Sequence, residues 1–166
     1  MTHFIPVINK LDYKVISKLA IEIWTEHYVS IIGIDQVNYM LEKFQSKNAI
    51  EDQITKSNYK YYLIKNNNND LGYISIKEDN SVLFLSKIYI SKTYRGQGFG
   101  KIAMNFIEAQ AVKLNCFKIY LTVNKHNINS IKAYEKIGFI KIEELIIDIG
   151  NGYVMDDYKM EKTLIN

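Results

Sequence analysis

The sequence predicts an α+β fold, and two periodicities in its 166 residues carry that prediction. Apolar residues recur at helical spacing in residues 11–28 and 99–114, whereas they alternate with polar residues in 59–65, 71–77 and 117–123. Alternation is typical of half-buried strands, and successive alternating segments joined by short turns indicate mostly antiparallel pairing. No repeat or linker-like stretch divides the chain, so we expect one domain over residues 1–166.

The first third of the chain predicts one strand and three helices. Pro6 cannot donate a hydrogen bond, so the first strand is expected at a sheet edge. Asp12 stands where a first-turn acid or cap begins a helix, and the segment Ser30 to Gly33 is expected to end it. The predicted bounds are Phe4–Ile8 for the strand, then Leu11 to about Tyr28, Asp35–Phe44 and Ala49–Thr55 for the helices.

The remaining chain predicts more strands with two helices between them. The run Asn66 to Asp70 favours a turn between two strands. A strand, a helix and a strand in succession predict a parallel pair with a right-handed crossover. Gly138 suits the end of the last helix. The predicted elements are strands Tyr59–Lys65, Leu71–Lys77 and Val82–Ile90, a helix Phe99–Leu114, a strand Phe117–Val123, a polar loop Asn124–Asn129, a helix Ser130–Ile137, and a hairpin of Phe139–Ile149 and Tyr153–Lys162 about Gly150–Gly152.

Composition excludes several classes of function. A net charge of +3, without a basic cluster interleaved with aromatic residues, argues against a nucleic-acid partner. The sequence contains no run of about 18 apolar residues, so we expect no membrane span. A single cysteine, Cys116, cannot form an internal disulfide, which favours a reducing, cytoplasmic location. No metal is expected.

The segment Arg95-Gly96-Gln97-Gly98-Phe99-Gly100 lies between a predicted strand and a predicted helix and holds three of the eight glycines. Glycines let main chain approach a ligand closely, and N–H groups at a helix start bind phosphate. Arg95 is the first residue of this segment, and its planar guanidinium suits hydrogen bonding to oxyanions. The segment therefore predicts a phosphate-binding loop.

Two familiar phosphate loops do not fit this segment. A P-loop needs a glycine where Arg95 stands and Ser or Thr where Ile102 follows Lys101. A dinucleotide fingerprint needs two residues between its second and third glycines, whereas only one residue separates Gly98 from Gly100. It also needs an acidic residue about 20 positions further on. What remains is Arg-x-x-Gly-x-Gly at a strand-to-helix turn.

A second stretch, Asn127 to Phe139, completes a pattern with this loop. The two motifs, in this order and on these elements, resemble the GNAT superfamily of N-acetyltransferases over about Tyr59–Phe139. The resemblance implies a mixed, mostly antiparallel twisted sheet, splayed at a central parallel pair and flanked by helices. It also implies an enzyme that uses acetyl-CoA.

The resemblance implies a role for each matched residue. Amides from Gln97 to Lys101 would hold the pyrophosphate, and the main chain of Ile88 and Ile90 would pair with the pantetheine arm. Asn127 would hydrogen-bond that arm or nearby main chain, and Tyr134 would protonate the departing thiolate. The implied cofactor-binding set is Ile88, Tyr89, Ile90, Arg95, Gly96, Gln97, Gly98, Phe99, Gly100, Lys101, Asn127, Asn129 and Lys136.

The acceptor is indicated less specifically. The stretches Ile23–Tyr28, Gln36–Met40 and Gly150–Tyr158 are similar to bacterial spermidine/spermine acetyltransferases. A polyamine favours carboxylates and aromatic faces, which a further set of residues could supply. The residues of that acceptor set are Glu26, Tyr28, Tyr39 and Asp157.

The residue that deprotonates the amine is left open. A primary amine is neutral in only about one molecule in a thousand at pH 7, so it must lose a proton before it attacks. The candidates are Glu22, Glu26, His27, Asp156 and Asp157, and none is assigned.

Three functions therefore remain open from the sequence. The first is acetyl transfer to a small amine, with polyamines favoured. The second is acetylation of protein N-termini or lysine side chains. The third is a non-catalytic acyl-CoA-binding regulatory module. The expected partners are a small-molecule amine and a second copy of the chain, with neither nucleic acid nor membrane.

Overall fold

A computed structural model describes residues 1–164 of the chain. Five helices and seven strands follow one another in the order that the sequence predicts, and a short 3-10 helix, Lys92–Tyr94, follows the fourth strand. The strands are β1 Thr2–Pro6, β2 Lys60–Asn66, β3 Asn69–Asp79, β4 Val82–Ile90, β5 Lys118–Asn124, β6 Ile140–Gly150 and β7 Tyr153–Thr163. The helices are α1 Lys10–Ile32, α2 Ile34–Gln45, α3 Lys47–Lys56, α4 Phe99–Lys113 and α5 Ile128–Lys136.

The strands form one mixed sheet in the order β1-β2-β3-β4-β5-β7-β6. β1 pairs antiparallel with β2, β2 with β3, β5 with β7 and β6 with β7. β4 and β5 are parallel, with Val82–Phe84 paired to Lys118–Tyr120. The mixed sheet and the predicted parallel pair are confirmed, and β1 lies at a sheet edge as Pro6 requires.

The chain divides into two compact units, of which the first comprises Met1–Lys77 and Lys87–Ile107. Its helix α1 begins with a reciprocal cap, because Asn9 accepts hydrogen bonds from the first turn and the Asp12 carboxylate accepts one from the Asn9 N–H. The buried face of α1 includes Ile16, Ile23 and Trp24. Burial of this apolar stripe stabilises the helix more than its intrinsic propensity does.

The second unit comprises Glu78–Ser86 and the chain from Glu108 onward. Its core includes Leu83, Ile119, Leu121 and Met160, all at most 2% exposed. Ile119 and Leu121 lie on one face of β5 because side chains alternate along a strand, and their partners Leu83 and Met160 share that face. Lys118 lies on the other face and donates to Glu161 at 2.8 Å. The prediction of a single domain is not tested by this division and stays a prediction, and residues 165–166 lie outside the described part of the chain.

Several predicted bounds were wrong for physical reasons. α1 continues through Ser30–Ile32, because only Gly33, with a φ of 83°, breaks the helical conformation. β1 begins and ends two residues earlier than predicted. Phe117 is 48% exposed and precedes β5.

Within residues 1–164, no helix combines the length and the hydrophobicity that crossing a membrane requires.

Candidate functional site

The C-terminal half of β4 belongs to the first unit and comes very close to β3. A Cβ built on Gly72 would lie 1.9 Å from the Tyr89 carbonyl oxygen, so only glycine fits. The Ser91 N–H donates to the Leu71 carbonyl at 2.8 Å just beyond this point. These contacts fix the position of Ile88, Tyr89 and Ile90. The sequence marks Gly72 only as a glycine within a strand, which indicates a close backbone approach without showing its partner.

The glycine loop after β4 has the conformation of an anion-binding cradle. Gly96 and Gly98 have φ values of 75° and 85°, and a Cβ on either would meet nothing within 4 Å. The N–H groups of Lys101 and Ile102 donate to the Gly98 carbonyl, so α4 begins directly after this residue. In the described part of the chain, no protein group accepts from the N–H groups of Gln97 to Gly100. Alternating positive φ values and free amides at a helix start form a nest for an oxyanion.

Arg95 ties this loop to the end of β4. Its Nε donates to the Ile90 carbonyl at 2.8 Å, and its Nη1 lies 3.5 Å from Nδ1 of His27 on α1. A guanidinium has five donors, so these two contacts leave further N–H groups for an oxyanion. Gln97 also braces the loop, since its Nε2 donates to the Thr93 carbonyl at 2.9 Å. Lys101 is exposed in the first turn of α4.

An aromatic cluster lies beside β4 and brings two predicted site residues together. The ring of Tyr28 lies 4.6 Å from Trp24 and 6.4 Å from Tyr89. Tyr73 adds a fourth ring, 5.3 Å from Tyr89. Face and edge contacts of this kind position the Tyr28 and Tyr89 rings.

The other two acceptor candidates of the first unit lie on separate helices. Tyr39 is half-buried on α2 and its hydroxyl accepts from Lys43 at 3.3 Å, whereas Glu26 is exposed on α1. The Lys43 ammonium also lies 5.5 Å from the centre of the Tyr39 ring, so this ring already meets a cation within the chain.

The second unit holds the other predicted cofactor residues around α5. Asn127 is buried and precedes the helix as its N-cap, and its carbonyl accepts from Ile131 at 3.1 Å. The prediction of a loop through Asn129 was therefore wrong, because the helix begins at Ile128 and Asn129 lies exposed in its first turn. The asparagine at position 127, a residue type that favours helix caps, was the signal for this earlier start.

Tyr134 is half-buried on α5, with its ring 5.7 Å from that of Phe139. The Tyr134 carbonyl accepts from the N–H groups of Ile137 and Phe139, which closes the helix end. Gly138 follows with a φ of 101°, as a helix terminus of this kind requires. Lys136 is exposed in the last turn.

Asp157 is a buried carboxyl group on β7 of the second unit. It is 6% exposed and lies opposite Asn124, the last residue of β5. Burial raises its pKa to about 6, and the neighbouring Asp156 adds to this effect, while a hydrogen bond with Thr122 and the charge of Lys125 oppose it. Asp157 therefore changes charge close to neutral pH.

Lys87 is a buried cation that the sequence shows only as a polar interruption of β4. It is 7% exposed, donates to Gln53 Oε1 at 2.8 Å and lies 5.1 Å from the ring centre of Tyr61. Gln53 Oε1 also accepts from the Tyr61 hydroxyl at 2.7 Å. Burial lowers the pKa of Lys87 to about 7. No sequence signal could have indicated Gln53, since it lies 34 positions away.

Lys87→Met is expected to stabilise the protein at low pH. The unfolded chain holds the lysine proton up to about pH 10.4, whereas the folded chain releases it near pH 7, so the wild type gains stability between these values. Below pH 7 the folded chain carries the whole cost of the buried charge. Urea unfolding from pH 6 to 10 should show the variant more stable by a few kcal/mol at pH 6, with the difference shrinking as the pH rises.

Lys77→Met is the matched control, because Lys77 lies over the Tyr59 ring, as Lys87 does, but is half-buried. The free energy of unfolding of Lys77→Met should differ from that of the wild type by a small amount that stays constant across the pH range. If the free energies of unfolding of Lys87→Met and the wild type differed by the same amount at every pH, the lowered pKa of Lys87 would be contradicted.

Within residues 1–164, no three His, Cys, Asp or Glu side chains are grouped so as to hold a metal ion.

Comparison with known proteins matches both units to one family. Residues 20–139 match the model of the acetyltransferase (GNAT) family. The chain is similar to an uncharacterised N-acetyltransferase of the pepI 3′ region of Lactobacillus delbrueckii subsp. lactis, with 24% identity over 87% of this chain and 90% of the relative. It is also similar to a probable spermine N(1)-acetyltransferase of Bacillus subtilis subsp. natto, with 34% identity over 61 residues. That second match spans 36% of this chain and 40% of the relative's length.

A solved structure extends the comparison of the fold to nearly the whole chain. The PaiA N-acetyltransferase of Thermoplasma acidophilum in complex with coenzyme A has a TM-score of 0.81 over 99% of each chain, with 19% sequence identity. At this identity the likeness shows the fold, which agrees with the mixed sheet and its parallel pair β4–β5.

Proposed function

This chain belongs to the GNAT family of acetyltransferases, and on that premise we propose that it transfers the acetyl group of acetyl-CoA to a primary amine, with a polyamine as the favoured acceptor. The single observation that carries the proposal is the loop after β4. Its two glycines with positive φ and its four amides, which have no acceptor among residues 1–164, suit the diphosphate of coenzyme A. Filling either glycine position with a side chain would strain this cradle.

Residues on either side of the cradle extend the proposed cofactor site. The main chain of Ile88 and Ile90 would pair with the pantetheine arm as an added strand does. The parallel register with β5 covers Val82–Phe84, the N-terminal third of β4, which supports this use of the C-terminal part. Arg95 would hold the loop to the Ile90 carbonyl while its remaining donors face a phosphate.

The second unit would supply the groups for the leaving thiolate and the outer phosphates. Acetyl-CoA supplies a thioester carbonyl for the amine to attack. The Tyr134 hydroxyl would donate its proton to the sulfur as the carbon–sulfur bond breaks, since a phenol has a pKa of about 10 and a thiol of about 8.5. Asn127 would hydrogen-bond the pantetheine arm. Lys136, which is exposed, would contact the outer phosphates, and Asn129 would belong to the same set.

A cationic acceptor fits the remaining residues. Above about pH 6 the buried Asp157 is a carboxylate, which attracts an ammonium group strongly in a site that water reaches poorly. Tyr28 and Tyr39 offer ring faces for cation–π contact, and Glu26 adds an exposed carboxylate. The relative named a probable spermine N(1)-acetyltransferase supports this choice of acceptor.

Asp157→Asn is expected to weaken binding of a cationic acceptor about tenfold or more above pH 6. In the wild type the KM for the amine should rise as the pH falls through about 6, because protonation removes the negative charge. The variant should show a high KM without this inflection. Steady-state kinetics at saturating acetyl-CoA from pH 5 to 8 would measure both curves.

Asp156→Asn is the matched control for this experiment. Asp156 is the adjacent carboxylate, and it forms an ion pair with Lys125 at 2.7 Å. This control should keep the inflection and move it somewhat below pH 6, because it removes the negative charge that helps to raise the pKa of Asp157. An inflection that survives in Asp157→Asn would assign the titration to another group.

Detection of free thiol over a panel of amines and peptides tests the activity itself. The proposal predicts thiol release with spermidine or spermine and little with peptides that carry a free N-terminus or a lysine. Release with peptides alone would favour the protein acetyltransferase. Binding of acetyl-CoA without release by any amine would favour the regulatory module.

A further inference from the structure

The side chain of His27 on α1 reaches the glycine loop, although it lies 68 positions away from its partner there. Its Nδ1 is 3.5 Å from Nη1 of Arg95, and both residues belong to the first compact unit. His27 is half-buried, whereas Arg95 is exposed. The fold therefore brings a histidine, from the helix that carries Tyr28, beside the arginine of the proposed cofactor loop.

Two contacts at different nitrogens fix the plane of the Arg95 guanidinium. Its Nε donates to the Ile90 carbonyl at 2.8 Å, and this contact alone would leave the group able to pivot. The contact between Nη1 and His27 restrains that pivot. An arginine that is ordered in advance loses less side-chain freedom when it binds an anion. Its N–H groups that contact neither Ile90 nor His27 stay available for a phosphate.

The chemistry of the two groups decides which form of His27 makes this contact. A guanidinium has N–H donors and no acceptor, so Nδ1 of His27 has to accept with its lone pair. Only a neutral imidazole that carries its proton on Nε2 offers that lone pair. The Tyr28 ring packs against the imidazole at a centre-to-centre distance of 4.7 Å and an interplanar angle of 85°, which restrains the orientation of the His27 ring.

We propose that His27 is a positioning residue for acetyl-CoA: its Nδ1 accepts a hydrogen bond from Nη1 of Arg95 and holds the guanidinium where it meets a phosphate of the cofactor. The inference rests on the proposed role of the glycine loop and adds to it a residue of α1, outside both sequence motifs. Loss of the contact should weaken cofactor binding without slowing the chemical step, because the role of His27 is with Arg95 and not with the reacting atoms.

This role also removes His27 from the candidates for the base. A nitrogen that accepts from Arg95 has no lone pair left for the proton of the amine, and Nε2 of the same tautomer already carries a proton. The kinetic constants separate the two roles. A positioning residue for the cofactor affects the KM for acetyl-CoA, whereas a base affects kcat at saturating acetyl-CoA.

Calorimetry with acetyl-CoA and steady-state kinetics with spermidine test the proposal on the full chain. His27→Leu removes the acceptor and should raise the Kd and the KM of acetyl-CoA about three- to tenfold, with kcat unchanged. His27→Asn places an amide oxygen as many bonds from the main chain as Nδ1 is, and it should recover most of the affinity. His3→Leu is the matched control, since His3 is exposed on β1, and it should bind acetyl-CoA as the wild type does.

Two results of these measurements would overturn the proposal. The first is a His27→Leu variant that binds acetyl-CoA as tightly as the wild type. The second is a His27→Leu variant with a lowered kcat at saturating acetyl-CoA, which would return His27 to the candidates for the base. Far-ultraviolet circular dichroism would confirm that each variant is folded.

A double-mutant cycle with Arg95→Met tests whether His27 acts through Arg95. Arg95→Met should weaken acetyl-CoA binding, and His27→Leu should add little to that loss because its partner is gone. Fully additive losses would overturn the proposal. If Arg95→Met weakened binding and His27→Leu did not, the role of His27 alone would be refuted. If Arg95→Met left the affinity unchanged, the proposed phosphate contact of Arg95 would fail together with the role of His27.

Discussion

Tyr134→Phe is expected to lower kcat by about 10²–10⁴-fold, the range that general acid catalysis typically contributes. The substitution removes one hydroxyl and keeps the ring that packs 5.7 Å from Phe139, so the fold and α5 should not change. The KM for acetyl-CoA should change little, since the role assigned to Tyr134 is with the departing sulfur. Steady-state kinetics with a polyamine acceptor, from pH 6 to 9, would measure both constants.

Tyr62→Phe is the matched control for the loss of a tyrosine hydroxyl. Tyr62 is half-buried on β2 and its ring packs 4.9 Å from Phe106. Its kcat should equal that of the wild type. If Tyr134→Phe retained full kcat over the whole pH range, protonation of the thiolate by Tyr134 would be refuted.

Gly98→Val is expected to weaken acetyl-CoA binding at least tenfold. An L-residue at a φ of 85° costs about 1–2 kcal/mol, and a β-branched side chain worsens the strain. The loop relieves this strain by turning its amides away from the phosphate position. Because one factor of ten corresponds to about 1.4 kcal/mol, the loss of two amide contacts would exceed this threshold.

Gly33→Val separates lost binding from simple backbone strain. Gly33 has a φ of 83° and, like Gly98, has nothing within 4 Å of an added Cβ. Both variants should therefore lose similar stability, but only Gly98→Val should change the dissociation constant of acetyl-CoA measured by calorimetry. Equal affinities in the two variants would show that the loop around Gly98 does not hold the cofactor.

Local patterns predicted much of this fold because they reflect local physics. The bounds of β4 follow from an apolar run that ends in turn residues, and they were predicted without error. Gly138 and the Gly150–Gly152 turn were recognised because each needs a positive φ, which glycine adopts at little cost. The start of α5 was missed because Asn127 suits both a loop and a cap.

Contacts between distant segments could not be predicted. The need for glycine at position 72 comes from the Tyr89 carbonyl on the neighbouring strand. The acceptors of Arg95, namely the Ile90 carbonyl and the His27 ring, depend on how the loop folds back. The burial that shifts the pKa of Lys87 and Asp157 is likewise a property of the folded chain. The motifs in the sequence predicted the type of site, whereas the pKa shifts of its buried groups could not be predicted from the sequence.

Two-dimensional amide NMR during a titration with acetyl-CoA tests the central claim most directly. The N–H groups from Gln97 to Gly100 have no acceptor among the described residues, so new hydrogen bonds to a diphosphate should move their signals strongly downfield. Coenzyme A should produce the same shifts, because it carries the same diphosphate. If these four signals stayed in place while others moved to saturation, the cofactor would bind elsewhere and the proposed acetyl transfer would lose its basis.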